Sequence, residues 1–209
     1  MPYTISNATD ARSTENYKST GRQITVDAGD GWLDLGLFNE DQSLYPTTDV
    51  QRDNRNAKDE RGNTVLVKER VTGTTATYDT ITLVTPSDAV RSLLKGDSVT
   101  VTGIAGATVS GFEPGKTVTV RMVNVQRSQD DADKATVLWH PRATVEYLGE
   151  DQEGLPQIRI SVLSFDKETL SAAMDPYKAV LGSYGGLFEV PEAGLPAILD
   201  LIDAEAPLN

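Results

Sequence analysis

No cysteine occurs in the 209 residues, so neither disulfides nor thiolate metal sites can contribute to this fold. Only one histidine is present, His140, and no second one exists to complete a histidine metal site. Aromatic residues make up 6% of the chain and hydrophobic residues 38%, which predicts a modest core and much polar surface. No apolar stretch approaches the length of a membrane span, and the first residues lack a basic region followed by an apolar run. A soluble chain with no export signal and no membrane partner is therefore expected. Bases are also scarce: 19 Lys and Arg against 31 Asp and Glu leave a net charge of −12. Neutralising DNA phosphates takes clustered Lys and Arg, so specific DNA binding is not expected.

The residues that usually carry chemistry are equally thin. His140 lies in "LWHPR", beside a proline and inside a strand pattern, which suits a structural histidine better than a general base. The carboxylates are scattered over loops rather than paired. The glycines of "GIAGATVSG" lack the strand–turn–helix setting of a phosphate loop. The aspartates of "DAGDGW" lack the spaced ligand series and closing Glu of a calcium loop, so this segment reads as a turn. "QDDAD", residues 129–133, could offer oxygen ligands to a metal, but a charged hairpin tip explains it better. The sequence thus gives no catalytic residue, no cofactor and no metal ligand, and it argues against an enzyme.

What is present is mostly strand patterning. After some thirty residues rich in Ser, Thr and Asn, a compact apolar strand is expected over residues 32–38. A polar excursion, residues 41–63, follows and reads as a long loop. "TVLVKERV" and "TTATYDTITLV" read as the two strands of a hairpin joined at Thr72 and Gly73. "TPSDAVRSLLKG" has a Pro-Ser start, apolar Ala89, Val90, Leu93 and Leu94, and a closing Gly96, the pattern of a helix with both end signals. "DSVTVTGI", "KTVTVRMVNVQRS" and "KATVLWHPRATVEYLG" return to two-residue alternation. "PQIRISVLSF" adds a strand with Ile158, Ile160 and Val162 on one face and Arg159 and Ser161 on the other. "GLPAILDLIDAE" suggests a short closing helix. The expected fold is mainly β, a β-sandwich or part-barrel with one packed α-helix and a long inter-strand loop.

Charge is distributed unevenly. Residues 146–209 hold 12 acids and 3 bases, whereas residues 46–70 hold 6 bases and 5 acids. The polar excursion carries Arg52, Arg55, Lys58 and Arg61, spaced three apart.

One ordered combination of segments is informative. "GDGWLDLGLFNEDQSLYPTTDVQRDNRNAKDERGNTVLVKERVTGTTATYDTITLV" resembles the major tail tube proteins of long-tailed bacteriophages. The matching positions are Gly31, Trp32, Asp34, Leu35, Gly36, Glu40 and Asp41, then Asp49, Asp53, Thr64 and Val65. The helix segment fits that family's position, with Pro86 and Ser87 where an acidic-Asn start is usual, and "RATVEYLGEDQEGLPQIRISVLSFDKETL" resembles its late strands. The resemblance covers about residues 25–175. It implies an N-terminal arm over residues 1–24, a tail-tube β-sandwich domain over 25–175 with the long loop at 41–63, and a C-terminal extension over 176–209. It also implies a virion protein, made in the host cytoplasm, whose hexameric rings stack into a hollow tail tube. Its partners would be further copies of itself and the tail-tip initiator and terminator proteins, with viral DNA passing through the lumen unbound. Within that picture Arg52, Arg55, Lys58 and Arg61 are expected at the contact between rings, and Asp79 and Glu146 are expected to face the lumen. Two alternatives share the strand pattern: the inner tube of a contractile injection device, and an extracellular β-sandwich binding module of adhesin or carbohydrate-binding type.

Overall fold

A computed structural model describes residues 22–38, 45–127 and 134–206. The chain is mainly β. In order come β1 (Arg22–Asp27), β2 (Trp32–Asp34), β3 (Thr47–Lys58), β4 (Thr64–Thr82), α1 (Asp88–Lys95), β5 (Val99–Thr100) and β6 (Thr108–Val109). They are followed by β7 (Thr117–Arg127), β8 (Lys134–Glu150), β9 (Pro156–Val162), β10 (Gly186–Pro191) and α2 (Leu195–Asp203). One antiparallel sheet runs β2-β1-β7-β8-β9-β4-β3, with β10 added alongside β8, while β5 and β6 form a separate two-stranded ribbon. Past the end of β2, Phe38 bridges Leu83, and the Val84 amide donates to the Leu37 carbonyl at 2.7 Å. The sheet therefore curls until the chain beyond β2 meets the chain beyond β4, as expected for a part-barrel.

The local sequence explains the helices. Ser87 accepts the Val90 amide at 3.3 Å and starts α1. Gly96, at φ +88°, ends it, and Val90 and Leu94 are the buried face. The closing helix expected from "GLPAILDLIDAE" is α2, with Leu195, Leu199 and Ile202 buried.

Two expectations fail in the early strands. Residues 47–58, placed within a long loop, form the 12-residue strand β3, which pairs along its length with β4. The segment 64–82 is one continuous 19-residue strand rather than a hairpin turning at Thr72 and Gly73. Gln51 pairs with Gly73 and Arg52 with Val71, so Thr72 is an inserted residue and the Thr-Gly pair marks a β-bulge. The real turn is Asp59–Asn63. Other strands come out shorter than their patterns: only 32–34 of the segment 32–38, and only two residues of "DSVTVTGI". "QDDAD" and residues 1–21 of the N-terminal arm lie outside the described residues.

β8 organises two cores. Its first half pairs β10 as far as Trp139, and its second half pairs β9 from Ala143 onward. Between them β7 pairs Val120 with Ala143 but Met122 with His140, so β8 carries one extra residue at Pro141–Arg142. That residue inverts the alternation. Ala135, Val137 and Trp139 pack with Trp32, Val123, Val125, Leu170, Met174 and α2 on one face. Ala143, Val145 and Tyr147 pack with Ile24, Val26, Tyr78, Ile160 and α1 in the other core.

The stretch beyond residue 175 supplies β10 and α2, and an ion pair ties it down. Arg121 Nε and Nη2 each lie 2.7 Å from Asp27 Oδ2, with both residues nearly buried. Asp27 Oδ1 meanwhile accepts the Gly29 and Gly31 amides at 2.7 and 3.0 Å, which fixes the "DAGDGW" turn. Arg121 Nη1 donates to the Asp203 and Glu205 carbonyls at the end of α2, where a cation is favoured by the helix dipole. Its guanidinium lies 4.6 Å from the Trp32 ring centroid, and Trp32 Nε1 donates to Asp203 Oδ1 at 2.6 Å. Removing the guanidinium strands a buried carboxylate. Arg121→Ala is expected to cost about 3–5 kcal/mol in urea unfolding. Arg121→Lys should fall between it and the parent, because one ammonium cannot span Asp27 and the α2 carbonyls together.

Candidate interaction surface

A long exposed element is the β3–β4 hairpin. β9 pairs β4 only from Ala76 onward, so residues 64–75 have β3 as their sole strand partner among the described residues. At about 3.4 Å per residue those twelve positions extend about 40 Å from the sheet. Along β3, every described side chain from Thr47 to Lys58 is exposed. Its tip is well built. Asp59 Oδ1 accepts the amides of Arg61 at 2.9 Å and Asn63 at 2.8 Å, and Gly62 takes φ +82°. These bonds, the Asn63 amide foremost, hold the Asp59 carboxyl below the usual carboxylate range.

The four bases singled out in the sequence all fall on this arm, which is a strand pair rather than a loop. Arg52 and Lys58 are exposed six residues apart on one face of β3, Arg55 sits opposite Lys68 in the register, and Arg61 is exposed in the turn. Sequence reading missed what lies beside them. Val50 and Val71 are exposed, and their register positions, opposite Thr74 and Arg52, make them diagonal neighbours on the Arg52 face.

The two acids expected at the lumen lie on the face of the sheet opposite the α1-side core. Glu146, half-buried, sits across from Thr117 on β7 and Arg159 on β9, and Arg159 Nη1 donates to it at 3.5 Å. Asp79 is exposed at a bulge in β4 and accepts from the Thr47 hydroxyl at 3.5 Å. Thr77, Thr119, Thr144 and Ser161 complete this face, so it is rich in hydroxyls, and the Arg159 pair offsets the Glu146 charge.

His140 is buried, as a structural histidine should be. Its Nδ1 lies 2.7 Å from the Tyr184 carbonyl and must donate to it, which leaves Nε2 to accept the Tyr78 hydroxyl at 2.8 Å. The Asn124 side chain also hydrogen-bonds Tyr78. Burial pushes the His140 pKa down and the Tyr78 pKa up. Among the described residues no cluster of three or more His, Asp or Glu could hold a metal ion, and no helix is long and apolar enough to cross a membrane.

The histidine sets a pH response. Its folded pKa lies below the ordinary 6.5, so the unfolded chain takes up a proton that the folded one refuses. Stability is complete above that value. It should fall as pH drops below about 6.5, by up to about 1.4 kcal/mol per pH unit, until the folded pKa is reached. Thermal melting of His140→Gln should start lower at pH 7 yet vary less between pH 7 and 5.5 than the parent.

No protein-family model and no curated protein matches this chain.

Proposed function

We propose that the chain is a self-assembling structural subunit whose rings stack into a hollow tube, as in the tail of a long-tailed bacteriophage. The β3–β4 arm carries this reading. A two-stranded hairpin is marginal alone in water, and an arm whose described β3 side chains are all exposed has little to gain from the monomer. Its natural state is docked against a neighbouring copy. The resemblance places a contact between rings in this same segment. The hydroxyl-rich face bearing Asp79, Glu146 and Arg159 suits a wall along which DNA passes without being gripped, because it offers no cluster of bases to phosphate. In such a tube the arm, with Arg52, Arg55, Lys58 and Arg61, joins one ring to the next. Each exposed charge contact contributes only about 0.2–1 kcal/mol, but the contacts repeat around and along the tube.

The test is electron microscopy of concentrated protein, with and without the quadruple change R52E/R55E/K58E/R61E. The parent is expected to form hollow rods. The variant should melt at the parent temperature, since the described side chains among these four are exposed, and form none. Rods of ordinary length from the variant would remove the arm as connector, and particles that stay monomeric at every parent concentration would overturn the tube.

A further inference from the structure

The arm needs a surface to land on, and the molecule carries a distinctive one at its other end. Between α1 and β7, residues 98–112 form a segment of fifteen residues without one charge, in a chain of net charge −12. Within it β5 and β6 set Val99 directly opposite Val109, so both side chains share one face of the ribbon. Val99, Val109, Ile104 and Phe112 are all more than half exposed, Phe112 the most at 71%. So many large apolar side chains on one short ribbon indicate an interaction site rather than ordinary surface.

Register fixes where this ribbon lies. It leads into β7 at Thr117, opposite Glu146, and the Gly115 amide donates to the Tyr147 carbonyl at 2.6 Å. The turn from β8 to β9 is at the same pole, since Glu150 pairs with Pro156, and Lys95 of α1 bonds Glu150. β4 runs the other way. Its Thr82 lies by Gln157 near that pole, Ala76 lies by Val162 farther off, and the arm continues away from there. Arm and ribbon are at opposite ends of the strand axis, so they cannot meet within one copy.

Their chemistry is complementary. The ribbon is an apolar centre with Lys95, Asp97, Glu113 and Lys116 on its flanks and Asp151 and Glu153 in the adjacent turn. The arm presents Val50 and Val71 beside Arg52, with Lys58 and Arg61 toward its tip and the exposed acids Asp49, Asp53, Asp59 and Glu60 interspersed among them. Two copies of net charge −12 repel over most of their surfaces, and this pairing joins apolar side chains where the arm's six bases over residues 46–70 offset its five acids. We infer that the uncharged ribbon of residues 98–112 is the docking surface for the β3–β4 arm of a second copy, a head-to-tail contact that propagates. The inference rests on the arm acting between copies, as proposed above, but not on the polymer being a tube.

The absence of cysteine makes the test direct. Val71→Cys and Ile104→Cys are prepared as separate single-cysteine proteins carrying tags of different size, with Val180→Cys as a control at another exposed apolar position. Each pair is mixed and treated with a short bis-maleimide. The 71–104 heterodimer should exceed either homodimer, and the 71–180 product, by at least tenfold. One chain carrying both V71C and I104C should give a ladder of covalent oligomers. Equal yields of all products, or a dominant 104–104 homodimer, would overturn the inference. So would parent-like cross-linking of Val71→Cys to Ile104→Cys after V50Q and F112Q are added to the respective partners. A ladder from the double variant without hollow rods from the parent would leave the joint standing and remove the tube.

Discussion

One inserted residue governs the molecule. At Pro141–Arg142 the long strand β8 gains a position that β7 does not match, and its side-chain parity reverses. Without that insertion a regular strand of this length would present one face to one core throughout. With it, β8 feeds the α2-side core up to Trp139 and the α1-side core from Ala143. Proline is suited to the site because it has no amide to donate, and here the outer edge of β8 is passing from β10 to β9. Gly185 adds a second constraint. It lies at φ +134° with its backbone against the Trp139 carbonyl and the His140 ring, where no Cβ would fit. The chain entering β10 can therefore approach the bulge closely, and the Tyr184 carbonyl reaches His140.

The same insertion explains why a charged pair is tolerated inside. Arg121 sits opposite the extra residue, with the parity of Val123 and Val125, so it faces the α2 side. There it serves Asp27, the Trp32 ring and the last carbonyls of α2 together. Glu205, just past the helix, accepts from the Ser171 amide at 2.9 Å and from its hydroxyl. Each buried charge thus has hydrogen-bond partners, which offsets its desolvation. The chain after β9, residues 163–206, is an integral layer held by a few directional contacts. This layer covers the face of β7 and β8 that the curled sheet cannot cover itself.

Sequence patterns were legible where burial is one-sided. α1 and its caps, the alternation of Ile158, Ile160 and Val162, and the closing helix all follow from an apolar stripe against a polar face. β3 was not legible for the same reason inverted. Neither face of "TTDVQRDNRNAK" is buried at its described side chains, so the alternation that identifies a strand is not required there. Gly73 was read as a turn because glycine marks both turns and bulges, and only register separates them. Arg121 and Asp27 lie 94 residues apart, and nothing local links them. The acids expected at the lumen follow from the polar faces of the strands within the resemblance, which does not reveal that Glu146 has Arg159 on the adjacent strand. The ribbon did carry a signal, fifteen uncharged residues in an acidic chain, which strand counting overlooked.

The uneven charge has a physical consequence for assembly. A net −12 keeps separate copies apart at distances up to a Debye length, about 10 Å at 0.1 M salt. Contact is then favourable only where that repulsion is locally absent and apolar area is available. The arm supplies such a place at one pole and the ribbon at the other. General acidity and local neutrality therefore act together. In the proposed joint the first suppresses indiscriminate contact, and the second leaves one orientation, arm to ribbon, in which copies gain by meeting.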